Sequence, residues 1–260
     1  YNLINLHRFL KFLYSLNIPF FKRIIPSFIK RFSLIKKTNI MNLHFGKIKL
    51  DLTQAIDREI YLSGFYEKDQ LNYLNKICSK KKIDYFFDIG SNIGYYSLYF
   101  RNIKNIYSFE PNKNNFLSLK ENIELNNLDI KAYNFGLSNS NSETEIWYTD
   151  EKKMGGSAIF QEDDPELKKY DIKNIYLEKT SVKRLDDIIN INDLKILAKI
   201  DVERHEKKVL EGMKNTIRNN NVILQIEIGE VQKNEVFEYL KELNLKWINT
   251  IRHDHYFIKE

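Results

Sequence analysis

From residue 83 onward, short apolar runs alternate with longer stretches in which apolar residues recur every three or four positions. That rhythm is the one produced by parallel strands joined by helices that cover both faces of a sheet. It predicts strands over 83–89, 105–109 and 130–135, with helices over 95–101 and 111–126 between them. Further strands are predicted over 194–202 and 221–228, separated by a helix over 206–218, and segments 246–251 and 255–259 read as a terminal hairpin. Between 138 and 180 the rhythm changes: an alternating strand at 143–148 is followed by Gly155-Gly156-Ser157 and a charged stretch. This reads as an insertion over the carboxyl edge of the sheet, with loops 138–142 and 154–157 as an acceptor lid hinged at Gly155 and Gly156. The expected fold class is α/β, a Rossmann-like, mostly parallel doubly wound sheet with a C-terminal antiparallel hairpin.

Charge divides the chain into two parts. Residues 1–37 carry eight Lys or Arg and no acid, the first acid being Asp51, whereas the remainder nets −2 of the total +6. The division is read as a basic helical N-terminal arm over 1–50 and a catalytic domain over 51–260. In the arm, Phe9, Leu10, Phe12, Leu13, Tyr14, Phe20, Phe21, Ile24 and Ile25 are interrupted by charges and by Pro19 and Pro26, so no run spans a bilayer. Two readings follow: a helix lying on the anionic inner face of a membrane, or helices covering the core or the second copy of a homodimer. The slightly acidic body offers no track for nucleic acid. Cys78 is the sole cysteine, so neither an intrachain disulfide nor a thiolate zinc cluster can form, and a cytoplasmic location is expected.

The strand ending at Phe87 delivers Asp88-Ile89-Gly90-Ser91-Asn92-Ile93-Gly94 into the helix that begins at Tyr95. Glycines at a strand exit let a ligand approach the backbone. The spacing is Asp-x-Gly-x-x-x-Gly, whereas a pyrophosphate-binding dinucleotide loop reads Gly-x-Gly-x-x-Gly. It therefore favours S-adenosylmethionine, whose amino-acid end an acid beside the loop attracts. Glu110, at the tip of the next strand and followed by Pro111, is placed to accept the ribose hydroxyls; the plainer role is an acid at the start of the following helix. Asn134, Phe135 and Gly136 at the third strand exit are the expected adenine contacts. Together Asp88, Gly90, Ser91, Asn92, Gly94, Tyr95, Glu110, Pro111, Asn134, Phe135 and Gly136 form the expected cofactor site.

Strand periodicity over 196–203 places Lys199, Asp201 and Glu203 on one face. Charges are unusual in a central parallel strand, and a ligand crevice explains them. His205 follows, and Glu227 stands at the next strand exit. Asp201 is the expected general base with His205 as the alternative, Lys199 steadying the oxyanion, and Glu203 and Glu227 orienting hydroxyls. The plainer assignment makes Lys199 a counter-ion and Glu203 a helix-start acid. A magnesium or manganese ion on Asp201 and Glu227 is chemically conceivable, but no metal site is predicted.

These residues resemble the FkbM family of methyltransferases. The matching features are 88–94, Phe-Glu-Pro at 109–111, Gly-Leu-Ser at 136–138, Gly-Gly-Ser at 155–157, Lys-Ile-Asp-Val-Glu at 199–203, His205-Glu206 and Val209-Leu210-Glu211-Gly212. The resemblance implies a class I methyltransferase that uses S-adenosylmethionine to methylate an oxygen, often a sugar hydroxyl of a polysaccharide or lipopolysaccharide precursor. A non-sugar acceptor and a non-catalytic membrane module are the competing implications. Arg204 departs from the family, which usually has Gly there; a cation at that point suits a phosphorylated acceptor such as a nucleotide-linked sugar.

Overall fold

The computed structural model describes residues 2–16, 18, 20–21, 24–27, 38–79, 81–148, 158–159 and 175–260. Its centre is a seven-stranded sheet in the order β12-β13-β11-β10-β3-β4-β5. The strands are β3 (Tyr85–Ile89), β4 (Asn105–Phe109), β5 (Lys131–Tyr133), β10 (Lys195–Ile200), β11 (Asn221–Glu227), β12 (Lys246–Ile251) and β13 (Asp254–Lys259). The first five run parallel and β13 lies antiparallel beside β11, closing with β12 as the expected terminal hairpin. The α/β class and the mostly parallel sheet are therefore as the hydrophobic pattern implies. Chain order turns back at β3, and in open α/β sheets the crevice at such a switch point takes the ligand.

The strands are apolar on both faces because helices cover both. Phe86, Phe87, Ile89, Phe109, Ile196, Leu197, Ile200, Leu224 and Ile226 are fully buried. Each such side chain contributes about 1.5–3 kcal/mol of burial free energy. One face is covered by α4 (Tyr95–Tyr99) and by α2 (Ala55–Ser63) and α3 (Lys68–Cys78), the other by α6 (Glu206–Gly212), α7 (Lys214–Arg218) and α8 (Lys233–Glu242). The helix expected over 206–218 is thus two. Gly212 lies so close to the loop at Ser138 that a Cβ there would come within 1.8 Å of the Ser138 carbonyl oxygen. The Asp186 carboxylate then accepts from the N–H groups of Asn215 and Thr216, starting a new helix.

Two further sheets frame the carboxyl edge. β6 (Gly136–Leu137), β7 (Ser142–Tyr148), β8 (Ala158–Ile159) and β9 (Tyr176–Lys183) make a four-stranded sheet in the order β6-β9-β7-β8, the insertion expected between 138 and 180. Gly155 and Gly156 lie outside the described residues. The other is a hairpin, β1 (Thr38–Leu43) and β2 (Gly46–Asp51), where the sequence reading extended the helical arm to residue 50. Alternation decides the difference: Ile48 and Leu50 are fully buried, alternating with Lys47 and Lys49. The hairpin is tied to α5 (Lys113–Leu125) by Asn126 Oδ1, which accepts from Lys47 N–H at 2.7 Å, and by Asn122 Oδ1, which accepts from Lys49 N–H at 2.7 Å.

Ahead of it, α1 (Asn2–Ser15) packs Leu10 and Tyr14 inward against α2, with the Lys11 ammonium 4.4 Å from the Tyr61 ring centre. Phe9 and Phe12 stay exposed. Among the described residues, no helix is long and apolar enough to cross a membrane.

Candidate cofactor and active site

The carboxyl ends of β3, β4, β10 and β11 open into a cavity of about 1150 Å3 that includes its mouth. Its floor is the loop after β3. Gly90 has φ +80, a conformation that leaves its N–H and that of Ser91 bonded to the Phe109 carbonyl, at 3.0 and 3.1 Å. A Cβ at Gly90 would sit 1.8 Å from the Asp201 carbonyl oxygen, so this glycine permits the close approach of the β3 and β10 exits. Gly94 (φ +86) serves packing instead: a Cβ there would meet Leu119 Cδ1 at 2.5 Å, and the residue does not line the cavity.

Asp88 lines the cavity, but its Oδ2 already accepts from Ser97 N–H at 2.9 Å and from the Ser97 hydroxyl at 2.5 Å. Its principal bonds therefore tie the strand to α4. Glu110 is fully buried at the tip of β4, with Oε2 accepting from Asn92 N–H at 2.7 Å and Oε1 from Asn112 N–H at 2.9 Å. Burial pushes its carboxyl up to about 7 against the pull of those bonds. It is not the helix cap: that role falls to Asn112, whose side chain accepts from the N–H groups of Asn114 and Asn115. Ser91, Asn92, Tyr95, Pro111 and Gly136 line the cavity as expected.

Asn134 and Phe135 do not. Asn134 Nδ2 donates to the Glu110 and Pro111 carbonyls, at 2.9 and 3.1 Å, and so braces the loop from behind. Phe135 packs on Phe109 and Tyr133. The apolar wall suited to a purine is instead Ile93, Phe109, Leu137, Ile146 and Ile159, the last three from the four-stranded sheet.

The charged strand resolves into two parts. The Lys199 ammonium, fully buried, pairs with Asp201 Oδ2 at 2.8 Å and lies 4.7 Å from the Tyr96 ring centre. Burial alone would lower its pKa, but Asp201, Glu67 and Asp88 outweigh that and raise it, so it stays charged. β10 ends at Ile200, so Glu203 does not share a strand face with Lys199 and Asp201. Glu203 and Arg204 both adopt left-handed φ, 49° and 69°, and Glu203 turns to the exposed rim of the cavity. The positive φ at Arg204 explains why a glycine suits that position.

His205 lines the cavity with Nε2 at 2.9 Å from Ser138 Oγ, while its Nδ1 is buried with no hydrogen-bond partner. Burial lowers its pKa to about 4, leaving the ring neutral. Segment 138–142, expected as a flexible lid, is pinned: Ser138 by His205, Asn139 by Glu211, and Asn141 by Asp187 and Arg184. Half-buried Glu227, at the β11 exit, has its carboxyl pushed up to about 8 by burial and then by the negative charges of Asp201 and Asp254. Two cavity residues come from upstream of the sheet, Ile56 and Tyr66, and no motif marked them. Among the described residues, no group of three or more His, Cys, Asp or Glu side chains is arranged to hold a metal ion.

The lining therefore carries Asp88, Glu110, Asp201, Glu203 and Glu227 against one lysine that is already paired. Among the described residues of the lining, a pyrophosphate would meet no unpaired cation. An adenosyl ligand bearing a sulfonium and an ammonium fits: a carboxylate for a diol, an apolar slot for a purine, and acids for positive charge.

Comparison with known proteins agrees. A family model described as the methyltransferase FkbM domain matches residues 88–256. The hexuronic acid methyltransferase AglP of Haloferax volcanii is 28% identical over 163 residues, 62% of this chain and 63% of that protein, so the match spans less than two thirds of that relative. Among solved structures, the FkbM methyltransferase of Methylobacillus flagellatus KT aligns over 68% of this chain and 44% of its own, with 14% identity and a TM-score of 0.44. The Pyrococcus abyssi tRNA (uracil-54, C5)-methyltransferase, in complex with S-adenosyl-L-homocysteine, aligns over 86% and 43%, with 11% identity and a TM-score of 0.45.

Proposed function

The chain belongs to the FkbM methyltransferase family, and from that premise we propose that it transfers the methyl group of S-adenosylmethionine to a sugar hydroxyl, as in the assembly of a surface polysaccharide from nucleotide-linked precursors. The observation that carries the reading is the acid-lined cavity shared by the tips of β3, β4, β10 and β11. The name of the Haloferax relative supports a sugar acceptor. The surplus of carboxylates favours a neutral hydroxyl over a sugar carboxylate at the reacting position. Arg204, its guanidinium 5.9 Å from the Trp147 ring centre beside the rim, is where a phosphate of the acceptor would be received.

S-adenosylmethionine supplies, when bound, an electrophilic methyl on a sulfonium. Glu110 accepts the ribose hydroxyls through the lone pairs left by its bonds to Asn92 and Asn112. Asp201 is held by Lys199, and that ion pair fixes the orientation of its carboxylate. Glu227 has a proton affinity near the working pH, which is what general-base catalysis requires. We assign the proton of the acceptor hydroxyl to Glu227, with Asp201 and Lys199 orienting and His205 a neutral wall.

Calorimetry with S-adenosylmethionine and with NADH tests the cofactor; tight NADH binding with no S-adenosylmethionine binding would overturn the assignment. Glu227→Gln is expected to lower kcat on the sugar acceptor by roughly 10²–10⁴-fold with unchanged cofactor affinity. Because Glu227 must lose its proton to act, kcat/KM of the wild type should climb as pH rises through about 8. A flat profile from pH 6 to 9 would remove Glu227 from the role.

A further inference from the structure

We propose that Tyr66, positioned by Glu67, binds the amino-acid end of the cofactor. Both residues lie upstream of the span matched by the family model. The inference rests on the reading of the cavity as an S-adenosylmethionine site, and it follows from which way such a molecule must lie. Glu110 at the tip of β4 fixes the ribose, and the apolar slot around Leu137 lies on the β5 side of it. The adenine and the methionyl chain leave the ribose in opposite directions. The methionyl chain therefore crosses the Gly90 loop toward β10, where the cavity wall is Tyr66, Tyr95, Tyr96, Lys199 and Asp201.

At that end the obvious acids are engaged. Asp88 holds Ser97 and Asp201 holds Lys199. Tyr66 is held by its N–H, which donates to the Tyr95 hydroxyl at 3.0 Å, and by its ring, edge-on to Tyr95 at 6.0 Å between centres; its side chain lies in the field of the Glu67 carboxylate. Glu67 is built for something other than its local helix. It stands at the N-cap of α3 with φ 48, a left-handed conformation that is unfavourable for a non-glycine residue.

Its carboxyl makes no capping bond; instead it accepts from the Tyr96 hydroxyl at 2.6 Å, and burial raises its pKa against the opposing pull of Lys199. With this carboxyl drawing the hydroxyl proton of its chain neighbour, the Tyr66 oxygen presents its lone pairs to an ammonium. Tyr66 is thus a binding residue, and Glu67 acts through it as a positioning residue.

Three ligands separate the possibilities in calorimetry on the full chain. S-adenosylmethionine carries sulfonium and amino acid, S-adenosylhomocysteine the amino acid alone, and 5′-methylthioadenosine neither. For Tyr66→Phe and Glu67→Gln, the first two should lose about tenfold in affinity, with 5′-methylthioadenosine unchanged. A urea midpoint within error of wild type shows that the fold is retained in Tyr66→Phe, which keeps the ring. Equal losses for all three ligands would mean a structural role and overturn the proposal. So would unchanged affinities, or an effect confined to the KM of the sugar acceptor. If the wild type binds none of the three, the cofactor reading itself fails, a result distinct from any of these.

Discussion

Three glycines with nearly the same backbone angle measure how tightly the cofactor loop is built. Gly64, Gly90 and Gly94 have φ of +80, +80 and +86. Alanine in that region costs about 1–2 kcal/mol whatever surrounds it. At Gly64, the residue that ends α2, a Cβ meets nothing within 4 Å, so Gly64→Ala isolates that backbone cost.

At Gly94 the Cβ meets a fully buried leucine methyl at 2.5 Å, which must turn or shift, adding about 1–3 kcal/mol of overpacking. At Gly90 the neighbour is the backbone carbonyl of Asp201 at 1.8 Å, against an ordinary contact that begins near 3.4 Å. The β3 and β10 exits would have to part by well over 1 Å. That also breaks the 3.0 Å bond from Asp201 N–H to the Ile89 carbonyl. The expected order is about 1–2 kcal/mol for Gly64→Ala, 2–5 for Gly94→Ala, and more than 4 for Gly90→Ala.

Urea denaturation gives the stabilities, and calorimetry with S-adenosylhomocysteine gives the site. Gly64→Ala should bind as wild type does, and Gly90→Ala, if it folds at all, should bind at least a hundredfold more weakly. A Gly90→Ala protein as stable as Gly64→Ala, with intact binding, would show that the strand exits are not in this contact and refute the reasoning.

Arg204→Gly should raise stability by about 1 kcal/mol, read as a higher urea midpoint, because it relieves a left-handed φ of 69°; acceptor KM should rise if the guanidinium receives a phosphate. Glu110→Gln should weaken S-adenosylhomocysteine binding at least tenfold in calorimetry, since an amide cannot accept from Asn92 and Asn112 with both atoms. Stability should also depend on pH. Burial lifts the carboxyls of Asp57, Glu110 and Glu206 to about 7, and that of Glu227 to about 8. Folded pKa values above the unfolded ones give stability that is complete below about pH 4 and lost as pH rises through 7 to 8. His205, lowered to about 4, acts in the opposite sense up to its ordinary 6.5. The melting temperature should therefore fall from about pH 5 to about 8 and level off above that, and a rise between pH 5 and 8 would contradict the burial of these groups.

What could be read from the sequence, and what could not, divides by the range of the interactions. The strands β3, β4, β10 and β11 were legible because a parallel strand buried on both faces must be apolar throughout, and Gly90 and Glu110 because each stands at such a strand's exit. Periodicity failed where the backbone left the strand: it assumed that Glu203 continues the alternation of Lys199 and Asp201, but β10 stops at Ile200 and two left-handed residues follow. It also lost the hairpin of β1 and β2 inside a charge-based boundary, although Ile48 and Leu50 alternate there.

For Asp201 the limit was different. Its spacing from Lys199 was evident, but the 2.8 Å ion pair between them depends on the burial of the lysine, which spacing alone does not carry. Tyr66 carried no signal, because it reaches the cavity only after α2 and α3 fold back over the sheet, and Glu67 is its chain neighbour. Glu67 sits where an N-cap residue belongs, which hides its role; only the missing capping bond and the bond to Tyr96 reveal it. A residue that gives up a local hydrogen bond in a costly conformation is held there by something else. In this fold the candidate is the far end of the cofactor cavity.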